Sequence, residues 1–481
     1  MVCHKPIRHH DGRLLTVALL GQRQASCGQI RQGRLNAATT QPVFPPGVNH
    51  LFTFFIFNFM SVMIVMDSPI FLYVESLGAS ATVMGLIAGL TPLMVVFQLP
   101  AASHVNRVGY KRFITTGWTV RLLFVAGLAV VPFTSDTTFD RNNKLALVLA
   151  MLFLFNLVRG ISSCGWFPWI TGLIPENIRG RYLTIENACN NIGSLVAFLG
   201  VALYLGHDPR PHQFGILFLC CLVFGLVSLA YIYRVPEVPT PPEEAKVAQA
   251  VPWAEILRYP PFRKLLWVAF AWAIAMGGVM AFVVKFLKGP AAMADNHVLF
   301  AASAKFIGGL LTLWFLATRL DRMGSRPVMH AAIVLWMLLL CGWIAVAGGA
   351  TKPAFPLILV LYLAMGFGFS MFGMALSKLA MATVPKMGRS HFFALFSVVG
   401  SLTAGLFPIL WGLLIDVLKP VRLTWLGLEW NQFSLYFAAL IGVLLASTLL
   451  VRRLEEKEAA PLNQFIADLI RNSPLRYWLR N

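Results

Sequence analysis

Asn106-Arg107-Val108-Gly109-Tyr110-Lys111 and Asp321-Arg322-Met323-Gly324-Ser325-Arg326 both fit the pattern (D/N)-R-x-G-x-(K/R), 215 residues apart. Each follows an apolar run. Pro175-x-x-x-Arg179 recurs as Pro385-x-x-x-Arg389 at an offset of 210, and Gly193-Ser194-Leu195 as Gly400-Ser401-Leu402 at 207. Three matches in one order at nearly one spacing mark an internal duplication.

The material between these landmarks is membrane sequence. Of 481 residues, 58% are hydrophobic and 12% charged, whereas a soluble domain carries roughly 25% charge. A water-soluble globule is excluded. A crossing helix needs about 20 mostly apolar residues, and twelve runs meet that need: 50–73, 79–101, 112–133, 144–170, 183–205, 213–233, 263–288, 296–318, 327–348, 355–380, 390–416 and 432–451. Lipid offers the backbone no hydrogen-bond partner, and the alternation of a barrel strand is absent, so the runs must be helices. The fold class expected is an all-α polytopic membrane protein, with twelve transmembrane helices in two pseudo-symmetric six-helix bundles, 50–233 and 263–451.

The net charge of +19 is mostly topology. With both termini on the cytoplasmic side, 27 of the 39 Lys and Arg fall on that side, and eight fall opposite. Such a bias orients the chain and removes any need for a nucleic-acid partner. Residues 1–49 read as a disordered basic arm. Residues 234–262, with Pro236, Pro239, Pro241, Pro242, Glu243 and Glu244, read as a cytoplasmic linker. In the tail, 452–481, Leu462, Phe465, Ile466, Leu469 and Ile470 repeat at helical spacing, as in a helix lying on the inner membrane face. The seven Cys lack CxxC pairing, so neither a disulfide framework nor a metal site is indicated.

The twelve runs, the 6 + 6 repeat, the long central loop and the paired loops resemble the major facilitator superfamily over roughly residues 50–452. Its full signature is G-x-x-x-D-R-x-G-R-(K/R). Here Ala102 and Ala317 replace the leading Gly, and Asn106 replaces Asp in the first copy while Asp321 is kept in the second. The resemblance implies that Asn106, Arg107, Gly109 and Lys111, with Asp321, Arg322, Gly324 and Arg326, lock the cytoplasmic ends of the halves together when the transporter faces outward. Arg179 and Arg389 are the basic residues of the loops after spans four and ten.

Charged groups within spans are costly and face a cavity or a partner. Asp67 stands in Asp67-Ser68-Pro69, where proline opens the helix ladder. Arg159 matches the Arg of a fourth-span family motif, R-x-x-Q-G-x-G, that the resemblance associates with proton coupling; of its other positions only Gly165 agrees. In the fifth span Glu186, Asn187, Asn190, Asn191 and Ser194 form a polar stripe that either lines a solute path or bonds neighbouring helices. Lys305 and Lys378 are further cavity candidates. Arg121 is assigned a peripheral structural role, and Trp118, Trp166, Trp169, Trp253 and Trp430 an interfacial belt. Pro236-Glu237-Val238-Pro239 resembles the P-E-S-P-R of sugar porters by chance, with no counterpart in the tail.

The function expected is secondary active transport of a small organic solute by alternating access, in a monomer embedded in membrane lipid of the plasma or bacterial inner membrane. No GxxxxGK(S/T) loop exists to bind ATP, so an ion gradient, protons first, supplies the work. Asp67 and Glu186 are the carboxylates to titrate, with Arg159 biasing them. No cofactor is expected. The rivals are a non-transporting sensor or delivery relative and a membrane-embedded lipid-modifying enzyme; the enzyme lacks its acidic cluster in any loop.

Overall fold

Helix follows helix from Asn49 to Arg452 in the computed structural model, which describes residues 44–135, 139–175, 178–238, 253–316, 324–383, 389–425, 427–454 and 456. Eleven helices among them are long and apolar enough to cross a membrane: Asn49–Ser76, Tyr110–Phe133, Arg141–Leu173, Arg181–Leu205, Pro211–Ile232, Pro260–Lys288, Asp295–Leu316, Ser325–Ala347, Phe355–Thr383, Leu395–Val417 and Gln432–Arg452. Ala81–Phe97 is a shorter apolar helix that continues into Gln98–Val108. Counting it second gives the twelve spans expected, numbered here 1 to 12. Residues Gly47–Asn481 cluster as one unit; of the unit before it, Met1–Pro46, only 44–46 are described. The greater part of the basic arm, linker residues 239–252, the tail helix expected at 462–470, and the signature residues Asp321 and Arg322 lie outside the described residues.

Four spans are interrupted, each where the sequence weakens the helix ladder. Pro92 precedes a 3-10 turn at Met94–Phe97 in span 2, and a 3-10 turn at Ser163–Gly165 splits span 4. Span 1 stops at Met66 and restarts at Ser68. Span 7 stops at Met276 and restarts at Val279 across Gly277-Gly278, where Gly278 takes φ +78°, a conformation open to glycine. Gly277 lies 210 residues after Asp67, within the offsets of the sequence repeat. The duplication therefore extends to the break in the opening helix of each half.

Within each half, small residues let backbones touch. A Cβ on Gly366 of span 10 would stand 1.9 Å from the Lys305 carbonyl oxygen of span 8, and one on Gly308 would stand 2.0 Å from that of Leu363. Between the halves, span 2 lies on span 11 and span 5 on span 8. Gly85 and Gly89 meet the carbonyls of Pro408 and Gly405 so closely that a Cβ would come within 2.1 and 2.2 Å. Outside the spans, Leu423–Trp425 pairs antiparallel with Leu428–Trp430 in a hairpin before span 12, the one departure from all-helical structure among the described residues.

Candidate functional site

The break in span 1 turns Asp67 from a helical residue into a cap. Its backbone is extended (φ −132°, ψ −159°), and its Oδ1 accepts from the Ser68 amide at 2.6 Å and the Ser68 hydroxyl at 3.0 Å. Pro69, inside the first turn, lacks the N–H that such a position leaves idle. The carboxylate thus projects from a helix gap, where Lys305 of span 8 donates to both oxygens at 2.7 Å. The pair joins the two halves. Lys305 is 8% exposed and Asp67 19%, and the ammonium also lies over the rings of Phe198 and Phe306, at 4.9 and 5.0 Å. A buried cation held by carboxylate and aromatic faces is compensated only while all of them stay in place. Both residues were legible as candidates; their pairing was not. Lys378 is half-buried in span 10, five residues before the helix ends at Thr383.

Further contacts hold the halves together at the end away from the signature loops. Lys285 of span 7 binds Glu75 of span 1 at 2.7 Å and the Ala79 carbonyl at 2.7 Å. Asp416, near the end of span 11, accepts from the amides of Ala81 and Thr82 at 3.1 and 2.8 Å and from the Thr82 hydroxyl at 2.6 Å. A carboxylate there meets the positive end of the span 2 helix. The Asn296 amide donates to the Gly206 carbonyl at 3.1 Å. This end of the molecule is closed. Glu75, Lys285 and Asp416 escaped the sequence reading because a charge at a span end is ordinary.

The signature loops are tied to their own halves. Gly109 (φ +93°) and Gly324 (φ +84°) turn the chain into spans 3 and 9 with a backbone other residues rarely adopt. Glu237, after span 6, accepts from the Lys111 amide at 3.0 Å, while Lys111 Nζ donates to the Tyr233 carbonyl at 3.0 Å. Glu456, after span 12, accepts from the Ser325 amide at 2.8 Å and the Arg326 amide at 2.9 Å; Arg326 Nη2 donates to the Arg452 carbonyl at 3.0 Å. The two glutamates are repeat-related, 219 residues apart. The tail therefore does hold a positional counterpart of Glu237 where none was expected: each half carries a glutamate that caps its own third helix. The counterpart was missed because only its position repeats, not its flanking prolines. The side chains of Asn106, Arg107, Arg179 and Arg389 lie outside what the structure describes.

Arg159 is not drawn to either carboxylate. Among the described residues it has no hydrogen bond or ion pair, and Asp67 is held by Lys305 instead, so the expected action of Arg159 on Asp67 and Glu186 is not what the geometry provides. Its electrostatic neighbour is Arg121. Arg121 is not peripheral: it is 2% exposed, donates to Asn58 Oδ1 at 2.6 Å, and stacks 4.8 Å over the Trp118 ring. Nor do three of the tryptophans form a belt. Trp118 stacks on Phe54 at 5.2 Å and meets Trp166 at 5.4 Å, and Trp166 meets the fully buried Trp169 at 6.0 Å, inside the first bundle. Span-end position misled because the break in span 4 turns Trp166 and Trp169 inward. Trp430 packs on Trp425 in the hairpin, and the Trp253 side chain lies outside the described residues.

The span 5 stripe uses its own helix first. Asn187, Asn191 and Ser194 donate to the carbonyls of Leu183, Asn187 and Asn190, each four residues back. Asn191 also reaches the partner bundle, its Oδ1 2.9 Å from where a Cβ on Gly309 would stand, while Asn190 Oδ1 is buried without a donor. Glu186 lies one turn beyond Tyr182, whose ring packs on Phe52 and Phe55. Span 5 packs on both span 1 and span 8, so the stripe runs beside the interface between the halves.

A sequence profile described as Major Facilitator Superfamily matches residues 51–290 and 286–479. The Escherichia coli (strain K12) protein "Uncharacterized MFS-type transporter YhhS" is 24% identical over 432 residues, which cover 87% of this chain and 96% of that one. Among solved structures, a D-xylose-proton symporter superposes with a TM-score of 0.65 at 13% identity, covering 86% of this chain and 98% of its own. The nucleoside transporter NupG superposes with a TM-score of 0.55 at 15% identity, covering 84% and 97%. At such identities the solved structures speak for the fold alone.

Proposed function

Since the chain belongs to the Major Facilitator Superfamily, we propose that it is a proton-coupled secondary transporter moving a small organic solute by alternating access, with Asp67–Lys305 as the coupling pair. The observation that carries this reading is a carboxylate in a helix break of one half, bonded by both oxygens to a buried ammonium of the other. Loss of the Asp67 charge leaves the largely buried Lys305 without its counter-charge, so the event that loads the proton also weakens the contact between the halves. A discontinuous helix at the repeat interface is where transporters of this architecture place such sites. Glu186, on the stripe beside the same interface, is the second proton carrier. That a structural neighbour is described as a D-xylose-proton symporter supports the choice of protons as the coupling ion. The transporter works as a monomer in a plasma or bacterial inner membrane, both termini cytoplasmic, with the closed end outward.

The test is reconstitution. A tracer counterflow screen against a solute library identifies a cargo; uphill uptake under an imposed proton gradient is then measured for wild type, Asp67→Asn and Glu186→Gln. Asp67→Asn abolishes accumulation yet leaves exchange. If both variants concentrate the cargo as wild type does, the assigned proton sites are wrong. A full absence of counterflow in the wild type points to a sensor or delivery protein.

A further inference from the structure

Three polar side chains of the first bundle, Arg159, Arg121 and Trp118, share one chemical property: each offers N–H donors only. Arg159 has no acceptor among the described residues. Arg121 satisfies one terminal nitrogen on Asn58 but buries its Nε without a partner. Trp118, 7% exposed and stacked beneath Arg121, buries Nε1 without an acceptor as well. Phe155, one turn before Arg159 on span 4, also faces the Arg121 guanidinium, at 6.0 Å. Two acceptors on span 5, Glu186 and the unpartnered Asn190 Oδ1, are bonded to none of these donors among the described residues.

Donors outnumber acceptors here in a place where water is scarce. A buried N–H without a partner costs about 1–3 kcal/mol, more if charged, and a guanidinium in a membrane span is retained where it meets a partner or a water-filled path. Two guanidiniums within electrostatic range of each other compound that cost. Lys305 differs, since Asp67 neutralises it. The cluster is thus cationic and donor-only, with Arg159, half-buried, its most accessible member. The rings of Trp118, Trp166 and Phe54 pack together beside it.

We propose that the cargo is an organic anion whose carboxylate or phosphate group binds Arg159, supported by Arg121 and Trp118. The guanidinium fork accepts either group in two parallel hydrogen bonds, a geometry an ammonium does not offer. This assignment rests on the transport reading above and adds the chemical class of what is moved.

The experiment is thermal unfolding of the purified, delipidated full-length protein in a neutral maltoside detergent. The probes are sodium salts of aromatic and aliphatic carboxylates and of phosphate monoesters, each paired with the neutral amide or alcohol and the amine of the same skeleton; phosphatidylglycerol is a separate arm. The expected result is a rise in melting temperature with one or more soluble anions and none with their neutral or cationic partners. The rise is lost in Arg159→Gln, and Arg159→Lys keeps part of it with at least tenfold weaker affinity. Size-exclusion profiles confirm that both variants are folded, and Arg159→Lys carries the test if Arg159→Gln is not. Stabilisation by neutral or cationic skeletons alone, by none of the anions, by phosphatidylglycerol alone, or equally in Arg159→Gln overturns the assignment. Counterflow with the stabilising compound separates the two readings: a neutral cargo that exchanges leaves transport standing without the anion site, and an Arg159-dependent anion that does not cross leaves the site standing without transport.

Discussion

Gly85→Ala adds one methyl group at the tightest backbone contact between the halves. The new Cβ would stand 2.1 Å from the Pro408 carbonyl oxygen, and approaches under 3.0 Å are essentially unknown for real Cβ atoms, so spans 2 and 11 must part by at least 0.9 Å. The obstacle is backbone on a packed helix, which cannot rotate away. Overpacking of this kind costs about 1–3 kcal/mol, and it falls on the closed end alone, because opening removes the contact. At about 1.36 kcal/mol per tenfold change, the closed-to-open ratio drops by a factor of about 5 to 150. Spin labels at Asn142 and Lys352, exposed positions at the closed end on opposite halves, report the change as a shift toward longer distances in a background without native cysteines. Gly366→Ala is the control. Its overlap is as severe, 1.9 Å to the Lys305 carbonyl, but it lies between spans 8 and 10 of one half. It lowers the melting temperature and leaves the distance distribution in place. An unchanged distribution in Gly85→Ala, or an equal shift in Gly366→Ala, refutes the claim that the span 2–span 11 contact sets the closed state.

Further expectations rest on single contacts. Asp67→Asn or Lys305→Met alone breaks a buried pair and lowers the melting temperature, at a cost of about 3–5 kcal/mol, while the double variant recovers most of the loss; equal losses in all three refute the pairing. Glu456→Gln weakens three charge-assisted amide bonds at the start of span 9 and destabilises more than Glu237→Gln, whose single bond to Lys111 is exposed, an order that melting curves of the two variants check. Asn58→Leu removes the Arg121 acceptor and costs about 1.5–3 kcal/mol, whereas Asn58→Asp retains the contact and melts near wild type. Asp416→Asn weakens the cap on span 2 and, in the spin-label assay, opens the same end as Gly85→Ala by a smaller factor.

The candidate site was half legible in the chain. Asp67, Lys305, Arg159 and Glu186 declare themselves because a charge in an apolar run must have a reason. Their relations were hidden: Asp67 and Lys305 are 238 residues apart, and Arg159 was assigned to carboxylates when its electrostatic neighbour is another arginine. Trp118 and Trp166 read as interfacial because nearness to a span end carries no information about which way a side chain points; for Trp166 the 3-10 turn just before it changes that direction.

What the residues alone determined is whatever lipid enforces locally. An apolar run must close its backbone hydrogen bonds within itself, so twelve helices follow, and the basic residues orient them. Duplication adds the two halves, since copied loops retain copied glycines at positive φ. What the tertiary structure decided is which end is closed, which carboxylate neutralises Lys305, and that Glu237 and Glu456 serve their own halves. Those depend on distances between helices set by glycines too close to a neighbouring backbone to carry a Cβ, and by breaks within spans. Such distances come from packing many surfaces at once, and no periodicity along one strand of sequence encodes them.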